Sequence, residues 1–267
     1  MNIVMSLKAI LLALVCGITE FLPISSNGHV IVLDELLGFS GPPGKLFEIS
    51  LQLGAILAVC WIYRTQLITM ALGIFWSARE RKFILNILIA CIPAVLIGAF
   101  FHRFIIAHLF NAHVVACMLI AGGVVILLVE KYKPVPTLLL PDSISPKSAL
   151  IIGLCQSLAM IPGVSRSGAT IMGAMCLGVE RKAATEFSFF LAIPMMFMAA
   201  FYDLFVHRHE IDAHGFSLIA VGFITAFVSA LVVVKWLLSY LSRHGFVAFA
   251  WYRIIAGSTV LLLLLAR

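Results

Sequence analysis

The chain has 267 residues, of which 63% are hydrophobic and 11% are charged, and its net charge is +6. Soluble domains carry roughly 25% charged residues, so this composition excludes a soluble globular protein and predicts an integral membrane protein. The positive charge suits loops that meet anionic lipid headgroups and requires no nucleic-acid partner. The six cysteines lie in apolar runs without CxxC spacing, which favours buried thiols over disulfides or zinc ligands.

Six apolar runs are long enough to cross about 30 Å of hydrocarbon as helices. They cover residues 46–63, 83–101, 113–130, 186–205, 216–238 and 248–266. Two further apolar regions, 1–40 and 147–182, are each interrupted by a proline and a serine–glycine segment. Their limbs are too short to span, so we expect two helical hairpins that enter the membrane and return. Non-helical backbone at that depth must be buried in protein or line a wet cavity.

The chain reads as two related halves, 1–131 and 147–267, joined by a proline-rich linker. A shift of 140 positions places Ser25 on Ser165, and the residues around them align as well. Each half holds one hairpin and three spans. Because three is odd, the second half must be inverted relative to the first, and the hairpins enter from opposite faces. The sequence thus predicts one all-α membrane domain with six transmembrane helices, two re-entrant hairpins and inverted-topology repeats.

Lysine and arginine divide unequally between the two sides of this topology. Twelve lie on one side: Arg64, Arg79, Arg81, Lys82, Lys131, Lys133, Lys147, Arg181, Lys182, Lys235, Arg243 and Arg253. Five lie on the other: Lys8, Lys45, Arg103, Arg208 and Arg267. The positive-inside rule makes the first side cytoplasmic. Both termini are therefore predicted to face outward, and Arg166 remains inside the membrane.

The interruption of the second hairpin has the composition of an anion site. An arginine near the bilayer centre costs about 2.5–3.5 kcal/mol on insertion scales, so Arg166 indicates function. Its guanidinium can bind a phosphate through two hydrogen bonds, and Gly168 lets the backbone approach a ligand closely. The helix that follows would direct its first amides at the same anion. Hydroxyl donors are available from Ser165, Ser167 and Thr170.

The interruption of the first hairpin supplies titratable groups. Glu20 ends the first limb, Ser26 lies in the interruption and His29 opens the second limb. A carboxylate, a hydroxyl and an imidazole can provide a base, a nucleophile and an acid. If the hairpin tips meet, these groups would face a bound phosphate. The structural alternative is that His29 only packs and that Arg166 only pairs with Glu20, Glu48 or Glu186.

At these residues the sequence resembles the bacterial undecaprenyl pyrophosphate phosphatase family, the bacitracin resistance proteins. The similar segments are 20–29, 47–55, 162–170 and 186–194, and the length and span pattern also agree. The resemblance implies removal of the terminal phosphate of a polyprenyl diphosphate, which recycles the lipid carrier of peptidoglycan synthesis. It also implies a divalent cation (Mg²⁺ or Ca²⁺), frequent dimers, and an active site that opens to the outer face of the bacterial inner membrane. Bacitracin would compete by binding the substrate.

The resemblance also implies roles for individual residues. Glu20 corresponds to the family's essential glutamate and is the candidate metal ligand, while Ser26 and His29 correspond to its serine and histidine. Arg166 corresponds to its phosphate-binding arginine. Further phosphate contacts are predicted for Ser25, Asn27, Ser165, Ser167, Gly168 and Thr170, and support is predicted from Glu48, Gln52, Glu186 and Cys16.

One departure from the family pattern concerns Cys16, because family members carry Glu or Gln four residues before the essential glutamate. Positions four apart share a helix face, so a side chain paired with Glu20 has been replaced by a thiol. A hard cation prefers oxygen ligands. Either Glu20 suffices, with help from Glu48, or this chain is slow or independent of metal. A second departure, Asn27 in place of threonine, retains hydrogen bonding.

Two functions are compatible with the pattern. A lipid diphosphate phosphatase would use Ser26, His29 or a water oriented by Glu20 as nucleophile. A transporter or flippase for a polyprenyl phosphate would also use broken helices at the midplane of an inverted repeat. A weaker hypothesis assigns metal binding or pH sensing to the outer histidines, which are His102, His108, His113, His207, His209 and His214.

Overall fold

The computed structural model describes residues 3–39, 46–206 and 213–266. Within these ranges the chain is helical, apart from loops and one isolated bridge between Leu138 and Val179. The helices are α1 (Ile3–Thr19), α2 (Ser26–Leu37), α3 (Leu46–Ile62), α4 (Arg64–Gly73), α5 (Ala78–Leu109), α6 (Ala112–Tyr132), α7 (Pro146–Ser157), α8 (Arg166–Cys176), α9 (Arg181–Val206), α10 (Ala213–Leu241) and α11 (Val247–Leu265). Short 3₁₀ turns cover Pro141–Ser143 and Leu158–Met160. The predicted all-α fold is confirmed.

Five of the described helices, α5, α6, α9, α10 and α11, are long and apolar enough to cross a membrane. The predicted span 46–63 corresponds to α3, which ends at Ile62, and α4 turns away from it by 77°. The two helices meet the criterion for a span only as a pair, which brings the total to six. Arg64 begins α4, donates to the Trp61 carbonyl and stacks over the Trp61 ring.

The outward faces of the helices are apolar, as expected for a multi-pass membrane protein. Phe100 is 81% exposed and Leu262 is 67% exposed, and such surfaces on a monomer require an apolar solvent. The interior holds a cluster of aromatic rings instead. Phe21, which directly follows Glu20, is fully buried and packs edge-on against Phe189 of α9 at a centroid distance of 5.3 Å.

The two hairpins are formed by α1 with α2 and by α7 with α8. We call their connections the first break (residues 20–25) and the second break (residues 161–165). Both are shorter than the sequence suggested, because α2 already begins at Ser26 and α8 at Arg166. In each, a serine precedes the second limb with positive φ, 70° at Ser25 and 74° at Ser165. A non-glycine residue in this region is strained, and such strain persists only where surrounding contacts impose it.

The first limb of each hairpin packs against the other half of the chain. A Cβ on Gly17 of α1 would lie 2.6 Å from the carbonyl oxygen of Ala226 on α10. A Cβ on Gly153 of α7 would lie 2.3 Å from the carbonyl oxygen of Ala90 on α5. The pairs correspond, since 17 to 153 and 90 to 226 are both steps of 136 positions. Each glycine therefore lets one backbone rest directly on another.

The same reciprocity relates α6 and α11. Gly123 of α6 faces the carbonyl oxygen of Ala250, and Gly257 of α11 faces that of Ala116, each with a Cβ-to-oxygen distance of 2.7 Å. Such reciprocal contacts are expected of two halves related by a pseudo-two-fold axis. With α3 and α4 counted as one span, each half contributes three spans, the odd number on which the prediction of an inverted repeat depends.

One residue in the charge count was placed wrongly. Arg253 was assigned to the cytoplasmic surface, but its side chain is 1% exposed and lies in the interior on α11. The cytoplasmic side therefore carries eleven lysines and arginines, against five on the outer side. Of the five, Lys45, Arg208 and Arg267 lie outside the described residues, as does the side chain of Arg103.

The outer histidines show no metal cluster within the described part of the chain. His207 and His209 lie outside the described residues, as do the side chains of His102 and His214. His108 binds the carbonyl of Phe104 and stacks on its ring.

Gly153→Ala tests the close contact between α7 and α5. Alanine favours a helix over glycine by roughly 0.5–1 kcal/mol, so without the clash the variant would be more stable. We expect instead that overpacking lowers the free energy of unfolding by about 1–3 kcal/mol. Thermal unfolding of the protein in detergent measures this, with Leu154→Ala on the exposed face of α7 as control. A melting temperature at or above that of the unmodified chain would contradict the contact.

Candidate active site

The two breaks meet inside the molecule, as the sequence predicted. Arg166, at the start of α8, places its Nη2 3.2 Å from Oε1 of Glu20. Ser167 donates to the carbonyl of Leu22 at 2.8 Å, which gives a second link between the hairpins. The side chains of Arg166 and Glu20 are 19% and 9% exposed, so the pair is largely shielded. Residues 146 positions apart thus form one polar centre in an apolar protein.

The ion pair leaves hydrogen-bonding capacity unused. Within the described part of the chain, neither Nη1 of Arg166 nor Oε2 of Glu20 has a hydrogen-bond partner, although both atoms are buried. Buried polar atoms without partners are rare and costly. One is a cationic donor and the other an anionic acceptor. A ligand that offers both an anionic oxygen and a proton to be accepted would satisfy them together.

The hydroxyls of the second break hold its backbone. Ser167 donates to a carbonyl, so the hydroxyl of Ser165 donates to Ser167 at 3.2 Å and accepts from the Gly168 amide at 3.1 Å. Thr170 donates to carbonyls of its own helix and contacts Ser188 of α9 at 2.6 Å. The structure therefore uses all three hydroxyls to fix the start of α8 against its neighbours.

The first break places Ser26 beside Cys16. The Ser26 hydroxyl lies 3.4 Å from the Cys16 carbonyl oxygen and 3.7 Å from its sulfur. Cys16 is 2% exposed, and the carboxylates of Glu20 and Glu48 both lie close enough to act electrostatically on its thiol. The thiol therefore lies directly beside the predicted nucleophile.

The first turn of α2 is held by two further contacts. The side-chain oxygen of Asn27 accepts from Gln52 of α3 at 2.8 Å. Nδ1 of His29 lies 2.8 Å from the Ser25 carbonyl oxygen, and a carbonyl can only accept, so Nδ1 carries the proton. Nε2 then accepts from the hydroxyl of Tyr252 at 2.7 Å when the ring is neutral, and the two rings stack. Both ring nitrogens of His29 are thus bound by protein groups.

Arg253 lies behind the two breaks. Its Nη1 donates to the carbonyls of Pro23 and Val164, both at 3.0 Å. Its Nη2 donates to Gly163 at 2.9 Å, and the remaining bonds reach Met118 at 3.0 Å and Leu119 at 3.2 Å. A guanidinium has five N–H donors, so every one is used on backbone carbonyls from α6 and from both breaks.

Glu186 does not join the others. It lines a separate cavity of about 170 Å³ together with Gln66, Thr69 and Glu80. At the edge of that cavity Arg79 pairs with Asp142. Among the described residues, no contact between Glu186 and Arg166 supports the predicted role of Glu186.

A hard divalent cation would find few protein ligands here. No group of three His, Cys, Asp or Glu side chains suited to a metal occurs within the ranges 3–39, 46–206 and 213–266. Among the described residues, Oε2 of Glu20 is the buried carboxylate oxygen without a hydrogen-bond partner. Mg²⁺ is commonly held by one or two carboxylates plus substrate phosphates. Glu20 fits a cation of that kind only when a phosphate supplies the other oxygens.

Two residues at the site were not found from the sequence. Tyr252 carries no signal in a single sequence, because an aromatic ring near a span end is common. Arg253 did carry one, since it lies within the predicted span 248–266. The rule that selected Arg166, that an arginine inside the membrane indicates function, applies to it equally.

The sequence is similar to known proteins over nearly its whole length. The family model described as "Bacitracin resistance protein BacA" matches residues 9–259. A protein named undecaprenyl-diphosphatase from Methylobacillus flagellatus is 50% identical over 266 residues, which cover 98% of either chain. One of the same name from Parvibaculum lavamentivorans is 51% identical over 256 residues, or 96% of each. One from Dechloromonas aromatica is 50% identical over 261 residues, covering 98% of this chain and 95% of that protein. With a family match over most of its length and relatives that align nearly end to end, the chain belongs to the bacitracin resistance protein BacA family.

Proposed function

We propose that this chain hydrolyses undecaprenyl diphosphate to undecaprenyl phosphate and inorganic phosphate. The observation that carries the proposal is the buried pair of Glu20 and Arg166, each with one atom still open to a ligand. The relatives described above carry the name of this activity, and none of them is named as a transporter. The product is the lipid carrier that peptidoglycan synthesis uses again, and its regeneration accounts for bacitracin resistance.

The terminal phosphate binds at the junction of the hairpins. Nη1 of Arg166 donates to a phosphate oxygen, while Nη2 remains on Glu20. The amino ends of α2 and α8 add partial positive charge where the two breaks meet. Charge that develops on the transferred group is stabilised by these fixed donors, which is the main source of catalysis in phosphoryl transfer.

The chemical step transfers the terminal phosphoryl group away from the bridging oxygen. If Ser26 attacks, its oxygen bonds to phosphorus, its proton passes to Glu20, and the bridging bond breaks to release undecaprenyl phosphate. Water then hydrolyses the phosphoserine. If water attacks directly, Glu20 accepts its proton and inorganic phosphate forms in one step. His29 is the least suited nucleophile, because the lone pair of Nε2 is bound by Tyr252; it serves to orient the first turn of α2 and to exchange protons.

A divalent cation, Mg²⁺ or Ca²⁺, would be held by Glu20 and by phosphate oxygens of the substrate. When bound, it would neutralise phosphate charge as a Lewis acid. The thiol of Cys16 is a poor ligand for such ions. The proposal therefore includes weak cation binding before the substrate arrives.

The proposal places this multi-pass protein in the bacterial inner membrane, with both termini outward and the site open to the outer face. The support is the excess of lysine and arginine on the opposite side. Bacitracin acts on this arrangement by binding the lipid diphosphate and withholding it. A homodimer within the lipid bilayer belongs to the same proposal and is tested by the mass of the protein in lipid nanodiscs.

Arg166→Ala and Glu20→Gln each remove one partner of the buried pair. We expect both to lower the rate of phosphate release from undecaprenyl diphosphate by about 10²–10³-fold, because each removes a preorganised charge at the transferred group. Purified protein in detergent is assayed, where a flippase without phosphatase activity would release nothing. The control is Arg79→Ala, which breaks an ion pair at the surface. Retention of full activity by either site variant would refute the assignment.

Ser26→Ala distinguishes the two nucleophiles. If Ser26 attacks, the variant loses turnover, and a phosphoserine is trapped from the unmodified chain by acid quenching and mass spectrometry. If water attacks, substantial turnover remains and no phosphoserine forms. Either outcome identifies the nucleophile, and both are compatible with the proposed overall reaction.

Cys16→Glu restores the carboxylate that the family places four residues before Glu20. We expect an increase in the rate and a lower Mg²⁺ concentration for half-maximal activity, since two carboxylates then share one helix face. Titration with Mg²⁺ after chelation with EDTA measures both. Cys16→Ser, which removes the thiol without adding charge, is the control. An unchanged Mg²⁺ dependence would show that this position does not serve the cation.

A further inference from the structure

We propose that Arg253 is a positioning residue, which holds the two breaks together so that Arg166 meets Glu20. The inference rests on the proposed function above, because positioning is judged by the rate of that reaction. Arg253 and Arg166 are both largely buried and both reach the junction of the hairpins, yet their bonding differs. That difference assigns their roles.

Arg166 has an open donor, whereas Arg253 has none. The five N–H groups of Arg253 all bind carbonyls, at 2.9 to 3.2 Å. It therefore has nothing left to offer a phosphate. Nη1 of Arg166 has no partner among the described residues. All hydrogen-bond donors of Arg253 are therefore used without substrate, whereas Arg166 keeps one for a ligand.

The carbonyls that Arg253 binds explain why a cation is needed there. Pro23, Gly163 and Val164 lie in the breaks, outside any helix, where backbone carbonyls lack intrahelical partners. In an apolar interior each such group costs free energy unless it is bonded. One guanidinium bonds all three and so holds the breaks against each other. Because these carbonyl oxygens point toward Arg253, the negative ends of the carbonyl dipoles do not face the bound anion.

The peptide that joins Val164 to Ser165 shows the consequence for the site. In a trans peptide the C=O and N–H groups point in opposite directions. Since the Val164 carbonyl is bound by Arg253, the Ser165 amide points away from it. Ser165 has the strained φ of 74°, and Arg166 follows directly. Arg253 thus helps to impose the backbone conformation from which Arg166 projects.

The surroundings are shaped to admit this side chain. A Cβ on Gly122 of α6 would lie 1.9 Å from Nη2 of Arg253 and 2.5 Å from its central carbon. A Cβ on Gly168 would lie 3.4 Å from Nη1. In the other half, 134 positions earlier, the corresponding residue of α6 is Leu119, whose carbonyl accepts from Arg253. The guanidinium therefore breaks the symmetry of the two halves at their junction.

Two variants disturb this arrangement differently. Arg253→Lys keeps the charge but has three N–H donors, so at least two of the five carbonyls lose their bond. Gly122→Ala keeps Arg253 and displaces its guanidinium. We expect either variant to lower kcat for phosphate release about ten- to hundredfold, as misplacement by about 1 Å does. If Arg253→Lys does not fold in detergent, Gly122→Ala carries the test.

Two comparators separate positioning from general stability. Gly257→Ala disturbs the same α6–α11 contact, since its Cβ would meet the Ala116 carbonyl at 2.7 Å, and its link to the Arg253 contacts is the side chain of Leu119 at 2.9 Å. Arg181→Lys weakens the partly exposed pair with Glu130, away from the site. All variants are assayed well below their melting temperatures. The inference is overturned if Arg253→Lys and Gly122→Ala retain kcat within twofold of these comparators.

A double-mutant cycle with Arg166→Lys gives a readout that a purely structural role would not move. If Arg253 acts through Arg166, Arg253→Lys lowers kcat/KM by less than threefold in the Arg166→Lys background. Effects that multiply independently would overturn the inference. Absence of phosphate release by the unmodified chain would instead refute the proposed function. The two failures are therefore distinguishable.

Discussion

The structure depends on one constraint, which is that backbone groups released from helices inside the membrane must find partners within the protein. Each hairpin turns around in an apolar interior, and its break exposes carbonyls that water cannot reach. Arg253 binds carbonyls of both breaks at once, and Ser167 adds a bond to Leu22. The same hydrogen bonds therefore satisfy the backbone of both breaks and hold the two hairpins together.

The chemistry follows from what that arrangement leaves unbonded. Almost every polar group near the breaks has a protein partner, including both nitrogens of His29. Glu20 and Arg166 are exceptions within the described ranges, with one buried atom each still open. Arg253, whose donors are all used, supports the backbone of the breaks, whereas Arg166 keeps a donor with which it can bind a ligand. The BacA family membership and the names of the relatives are consistent with a diphosphate headgroup as the missing partner.

Much of the fold was predictable because the membrane restricts the alternatives. Apolar length located five spans and the helix α3, and the odd number of spans per half predicts inversion. The meeting of the hairpin tips was predicted, whereas the pairing of Arg166 with Glu20 belonged to the structural alternative, in which the arginine serves only the fold. The bend between α3 and α4 was missed because apolar length does not report direction. The hydrogen bond between the hydroxyls of Thr170 and Ser188 was not predicted, because a single sequence does not show which way a side chain points.

The sequence by itself determined that the protein is a membrane protein and which polar residues interrupt its apolar runs, and it predicted two related halves. These follow from composition and spacing, which are local properties. Only the tertiary structure decided that Arg253 belongs to the interior, that Tyr252 binds His29, and that Glu186 faces a different cavity. The physical reason is that the surroundings of these three residues are formed by parts of the chain more than 80 positions away, in elements whose contacts no local pattern encodes.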